Sequence, residues 1–222
     1  MRVVVAIFAV GGVLIAGALA LGVAIEQHPA DRPSTAPPTA DARCRPPEGP
    51  LTLAETDPVV AERVAVAWER VERWLVDNAA ATSASWNAPA SRTEMIGLQR
   101  DLGTRLPADL VISLSRHDGV RVDGFSFPPA YQPLTVREIL MTVAEVCAVP
   151  GWGAGDVPFA RGESGNFLYL HDGAVYRYPA MQRHADDLVD LLDRTADRLE
   201  GVSPAEYRPD IDALGRLRWV RE

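Results

Sequence analysis

The chain has 222 residues and a net charge of −8, from 22 basic and 30 acidic side chains, and every basic one is Arg. That length leaves room for one ordinary domain able to bury a core without metals or staples, beside an N-terminal part that reads as non-globular. The acidic balance argues against a nucleic-acid partner, since such binders carry a clustered basic surface, and is compatible with a basic protein partner.

Val3–Ile25 is a run of 23 residues without a charge. Secretory apolar regions run to roughly 15 residues and a bilayer needs about 20, so length favours a transmembrane-type anchor over residues 1–25. Ala18-Leu19-Ala20 keeps a cleaved signal open as the alternative. Arg2 flanks the run on one side and Glu26 and Asp31 on the other, which places the N-terminus in the cytoplasm and the remainder outside. Residues 26–56 read as a tether, because Glu26–Pro50 is rich in Pro, Ala, Thr and Asp and cannot bury enough apolar surface to offset chain entropy.

A domain is expected over residues 57–201. Asp57-Pro58 caps a first helix whose Val60, Val64, Trp68, Val71 and Leu75 recur at helical spacing. Ser91-Arg92-Thr93-Glu94 is a capping box opening a second helix that ends at Gly103. Leu106–Gly119, LPADLVISLSRHDG, reads as a third, with Pro107 in its first turn and Asp118-Gly119 closing it. Val120-Arg121-Val122 and Phe125-Ser126-Phe127 alternate as strands around Asp123-Gly124, a hairpin signal. Thr135–Glu138 is another capping box, and Val136, Ile139, Leu140, Val143 and Cys147 share the face of the helix it opens. Val149–Gly155 is a Gly-rich loop carrying Trp152. Val157–Arg161, Asn166–His171 and Ala174–Tyr178 read as strands, and His184–Glu200 as a final helix stopped by Gly201. Residues 202–222 form a tail without a clear period.

Three pieces in this order carry a family resemblance: the LPADL-type helix ending in Asp-Gly, the segment VPFARGESGNFLYLHDGAVYRY over Val157–Tyr178, and the apolar helix behind it. With them the chain resembles the SUKH superfamily, within it the SMI/KNR-like group, with a membrane anchor added. The resemblance implies an α+β fold: N-terminal helices, a mixed or antiparallel sheet of about four to six strands, and a closing C-terminal helix. It also implies a protein-binding role, and many bacterial relatives look like immunity proteins that neutralise toxin domains.

Motif-grade chemistry is sparse. The histidines, His28, His117, His171 and His184, fall in no HExxH pattern, and the two cysteines form no C-x-x-C pair, so no metal or cofactor is expected. His117 suits the end of a helix, and His184 reads as a solvated residue at a helix start. Gly162-Glu163-Ser164-Gly165 is one residue short of a nucleophile elbow, and a strand, not a helix, leaves it. Gly151–Gly155 lacks the Lys-Ser/Thr ending of a phosphate loop.

Asp186, Asp190, Asp193 and Asp197 stripe the last helix, either as a solvated face with local pairs such as Asp190–Arg194 or as a docking face for a basic partner such as a toxin domain. Trp152, with Glu163 and Tyr169 near it, is either an interface anchor or a plug at the sheet edge. Cys147 reads as a buried thiol, or, in a domain outside the membrane, as the disulfide partner of Cys44. The resulting expectation is a non-enzymatic protein-binding module, membrane-tethered or exported, toxin-immunity or envelope-associated in role. The alternative is an envelope hydrolase using dispersed Asp, Glu and His residues.

Overall fold

A computed structural model describes Cys44, residues 48–202 and residues 206–222. The expected anchor at residues 1–25 and most of the tether lie outside the described residues. Among the described residues no helix is long and apolar enough to cross a membrane.

The helices form where local caps start them. Asp57 accepts a hydrogen bond from the Val59 N–H at 2.8 Å and opens α1 (Pro58–Asn78), which buries Val64, Ala67, Trp68, Val71 and Leu75 along one face. A short α2 (Ala80–Ser83) follows. Both capping boxes form: Ser91 with Glu94 opens α3 (Arg92–Leu102), and Thr135 with Glu138 opens α5 (Val136–Val146).

Between them α4 (Ala108–Arg116) ends earlier than the Asp-Gly signal predicts, with His117 already extended. Gly119 does take a left-handed φ of 65°, but its task lies elsewhere. A Cβ there would stand 2.6 Å from the Thr135 nitrogen, so only glycine lets this chain pass the start of α5. Asp118 uses the same closeness, accepting the Val136 N–H at 2.7 Å. The pair therefore joins two helices instead of terminating one.

The sheet is antiparallel, in the order β1 (Gln132–Pro133), β2 (Val157–Arg161), β3 (Phe167–His171), β4 (Ala174–Tyr178) and β5 (Gln182–Ala185). The hairpin expected over Val120–Phe127 does not form. Its donors go elsewhere, with the Arg121 N–H to Ser85 O and the Phe125 N–H to Ser85 Oγ, leaving isolated bridges at Val120 and Phe127. His184 is likewise no helix start. It lies in β5, and α6 (Leu188–Leu199) begins after Asp187, whose carboxylate accepts the Asp190 N–H at 2.6 Å.

The tail expected to lack a period is a hairpin, β6 (Tyr207–Ile211) with β7 (Leu217–Arg221). Leu217 N–H donates to Thr82 Oγ1 and Trp219 Nε1 to Ser126 O, both at 2.8 Å, fastening the hairpin to the body.

Strand β3 divides the interior. Leu168 and Leu170 enter the main core with α1, α3, α4 and α6, while Phe167 and Tyr169 enter a smaller cluster with Val146 and Trp152 on the other face of the sheet. The stretch just before α1 is also bound to the body. The fully buried Gln99 donates to Pro50 O and Thr52 O, each at 3.2 Å, and accepts the Leu106 N–H at 3.0 Å. Further back, Cys44 and Cys147 form a disulfide spanning 103 residues of sequence.

Candidate functional site

A polar groove runs along the β1 edge of the sheet, with adjoining lobes of about 380 and 540 Å³. Asp123, Ser126, Ala130, Gln132 and Glu163 line both lobes. The end of β2 forms one wall, and the β6–β7 hairpin, through Arg216 and Trp219, forms the other. Val122, on the rim, is 89% exposed.

Glu163 reaches the groove because the turn beneath it is tightly built. The Gly162 N–H donates to Asn166 O at 2.9 Å, and Ser164 and Gly165 both take left-handed φ, 60° and 77°. A Cβ on Gly162 would stand 2.2 Å from Asn166 Oδ1 and 3.0 Å from the Tyr131 ring, so glycine is required for the turn to rest on Tyr131.

The charges around Glu163 are already engaged. Arg216 binds Asp212 at 2.9 Å and approaches Asp123 at 3.6 Å. Arg161 donates to Thr142 and Glu145, both at 2.8 Å. Arg218 pairs with Asp210 at 3.1 Å, and Glu138 is occupied with Thr135 in its capping box. The Glu163 carboxylate is exposed and has no hydrogen-bonded or ionic partner among the described residues. It is the acid in this groove that can accept a cation without first releasing one.

The structure does not join the other expected contact residues to Glu163. Trp152 and Tyr169 are 6% and 4% exposed and pack on each other with centroids 5.1 Å apart. This corrects their reading as interface anchors: the Gly-rich loop turns Trp152 inward because the aromatic outer face of the sheet needs a cover. Asp186 lies before α6, between β5 and the N-cap Asp187, so only Asp190, Asp193 and Asp197 of the expected stripe are on the helix, and all four are spent on this chain's own cations. Arg70 on α1 takes Asp193 at 3.3 Å and Asp197 at 2.6 Å, together with Glu200 at 2.6 Å. Asp190 holds Arg194 at 2.9 Å, and Asp186 holds Arg183 at 3.0 Å. The stripe is thus a helix-to-helix seam with local pairs, and offers little free charge to a partner.

Sequence reasoning missed two other constellations. At the end of α4, Glu72 receives Arg116 and His117, the latter at 2.7 Å, and Trp86 stacks on His117 at 4.3 Å. Burial disfavours the Glu72 carboxylate, but hydrogen bonds from Arg116 and His117 prevail and bring its pKa down to about 2. The other is an acid–histidine pair on adjacent strand ends. Asp156, almost wholly buried, accepts from Gly153 N–H at 2.8 Å and meets His171 Nδ1 at 2.6 Å, and this bond raises the histidine's pKa. Neither residue lines the groove. Among the described residues no hydroxyl or thiol joins the pair, and Ser164 Oγ has no histidine or carboxylate to activate it. A shared strand register, Val157 opposite Leu170, was the signal that would have brought Asp156 and His171 together.

Among the described residues no group of His, Cys, Asp and Glu side chains is arranged to hold a metal ion. Comparison of the chain with protein-family models and with curated proteins finds no match.

Proposed function

We propose that this chain is a non-enzymatic binding domain that docks a protein partner in the groove beside β1, with Glu163 receiving a basic side chain of that partner. The single observation carrying this reading is the unpartnered carboxylate of Glu163, held by a rigid turn in a groove whose other charges are already paired. An exposed Val122 at the rim adds an apolar contact beside the ionic one. The family resemblance of the sequence supports a protein partner, and toxin immunity is the form of that role it suggests.

We further propose that the domain works outside the cytoplasm, either anchored through residues 3–25 or released after signal cleavage. The Cys44–Cys147 disulfide supports an oxidising compartment, because such bonds persist there and are reduced in the cytosol. Hydrolysis in the envelope is the second reading, drawing on the Asp156–His171 pair; among the described residues no nucleophile stands beside that pair, which favours binding over catalysis.

The test is affinity capture by the full chain of exported proteins encoded beside it, compared with the Glu163→Arg variant. The expected result is a retained basic partner, bound at least about tenfold more weakly by the variant, the scale of one charge-assisted contact turned repulsive. Equal binding by both proteins removes the groove from the reading, and capture of no partner removes the reading itself.

A further inference from the structure

The β6–β7 hairpin leaves one of its edges open. Its pairing is unbroken, from Tyr207 opposite Arg221 to Ile211 opposite Leu217. Asp212 N–H donates to Arg216 O and Glu222 N–H to Glu206 O, each at 3.0 Å, so these two flanking pairs are hydrogen-bonded. Antiparallel pairs alternate between bonded and unbonded. The residues of β7 that turn their N–H and C=O groups away from β6 are therefore Leu217, Trp219 and Arg221. Leu217 agrees with this phase, since its N–H reaches outward to Thr82 Oγ1. The backbone N–H and C=O groups of Trp219 and Arg221 have no partner among the described residues.

Other edges carry guards that this one lacks. Pro209 stands in the middle of the outward-facing residues of β6 and has no N–H to offer. Beside β1, Phe127 and Tyr131 exchange both of their backbone bonds at 2.8 Å, and Pro133 again has no N–H. On β5, Arg194 takes the His184 carbonyl. Strand β7 has neither a proline nor a bulge. Its charged side chains are drawn back toward acids beside or on β6, Arg218 to Asp210 at 3.1 Å and Arg221 to Glu206 at 2.9 Å, and so do not fence the edge. The open edge also borders the groove. Arg216, Leu217, Arg218 and Trp219 line the larger lobe together with Glu163, whereas no residue of β6 does. Consecutive residues of one strand and none of its partner place the groove along the outer side of β7.

We propose that a segment of the protein partner lies in this groove as an added strand on β7, pairing with Trp219 and Arg221 and presenting a basic side chain to Glu163. The inference rests on the docking reading above and adds the conformation of what docks. An extended chain is the ligand that supplies donors and acceptors alternating at the spacing of an open strand edge. A second copy of this chain fits less well. Pairing β7 with β7 brings Arg216, Arg218 and Arg221 of one copy beside those of the other, and like charges across a strand pair are destabilising. Glu163, with no partner of its own, favours instead a strand that carries arginine or lysine. Backbone pairing supplies affinity with little regard to sequence, and Glu163 supplies the choice.

The test titrates the isotope-labelled full chain, followed by NMR at neutral pH, with a short capped peptide of alternating threonine and valine around one central arginine. Saturable shifts centred on the Trp219 and Arg221 amides are expected, with slower hydrogen exchange at both. Arg221→Pro removes an outward N–H without touching a bond to β6, at an exposed position. It should bind the peptide about fivefold or more weakly than Arg221→Ala, which keeps that N–H. Should Arg221→Pro loosen the hairpin, the shifts and exchange at the two amides of the unaltered chain decide. Absence of saturable shifts at these amides overturns the proposal, as do equal affinities of the two Arg221 variants, or a dimer of this chain that occupies the same amides. Weakening by Glu163→Arg without a difference between the Arg221 variants removes the added strand and leaves the docking reading standing. A peptide that pairs with β7 but is indifferent to Glu163→Arg removes the ion pair on which the docking reading rests.

Discussion

At the scale of single residues, the most consequential polar side chain is Gln99, which ties residues 50 and 52 to the body and also accepts from Leu106. Its bonds are unequal in value. Pro50 and Thr52 lie near the surface, so their carbonyls can turn to water if released, whereas the Leu106 N–H is buried. Gln99→Leu keeps the volume and removes all of these bonds. It is expected to cost about 1–3 kcal/mol, mostly from the stranded Leu106 N–H. It should also make cleavage of residues 48–56 by protease faster at a temperature where the rest of the domain stays folded. Chemical denaturation and limited proteolysis of the pure protein measure both; unchanged stability would mean that Leu106 finds another acceptor. Nothing in the sequence marked Gln99, because a buried amide on a helix looks like any surface glutamine until its long-range partners are known. Trp152 was ambiguous for a related reason: a Gly-rich loop can direct a large aromatic inward or outward, and the aromatic face of β3 that decides between them, Phe167 and Tyr169, lies beyond the loop in sequence.

At the scale of elements, the β6–β7 hairpin decides how much of the chain is structural. Leu217 is 6% exposed and belongs to the main core, and its N–H meets Thr82 on α2. Leu217→Ala should therefore destabilise the whole domain by about 2–3 kcal/mol, as for an ordinary core leucine, and not merely loosen the terminus. A single shifted denaturation transition is the expected observation; a loss below about 0.5 kcal/mol would make the hairpin a passive appendage. This hairpin was illegible because most of its residues are only part-buried, which erases the in-out alternation that reveals a strand. The capping boxes of α3 and α5 were legible for the opposite reason: every bond that defines them lies within four consecutive residues. The strands β2 to β4 also stood out, since their turns carry glycine at left-handed positions such as Gly165 and Gly173. Val120–Phe127 shows the limit of pattern. It alternates like a hairpin, yet Ser85, about forty residues away, takes its donors. The candidate site inherits this division. Glu163 was visible because it sits in a recognisable turn, while the groove around it depends on the hairpin that sequence did not reveal.

At the scale of the molecule, the helices, the two sheets and the disulfide make one body whose charge is mostly spent internally, and that arrangement sets its response to acid. His184 is held near a pKa of about 4, below its ordinary value of 6.5, first by burial and then by the neighbouring arginines. Between those values the unfolded chain binds a proton that the folded chain refuses, so stability falls as pH drops through that window. Glu72, held at about 2 against an ordinary 4.5, extends the loss further, because its pairing with Arg116 and His117 disappears as it takes up a proton. The stability these two groups contribute should thus be full above pH 6.5 and decline in two stages, the first belonging to His184 and the second to Glu72, while His171, whose pKa Asp156 raises, contributes in the opposite direction by taking up its proton as the pH falls toward 6.5. His184→Gln keeps a neutral hydrogen-bonding side chain that cannot be protonated in this range, and should flatten the stage between pH 6.5 and 4 while leaving the lower one. Melting temperatures measured from pH 7.5 to 3 on both proteins separate the stages. If the wild type and His184→Gln lose stability in parallel above pH 4.5, the histidine does not govern the upper stage, and burial with the arginines around it does not hold its pKa down.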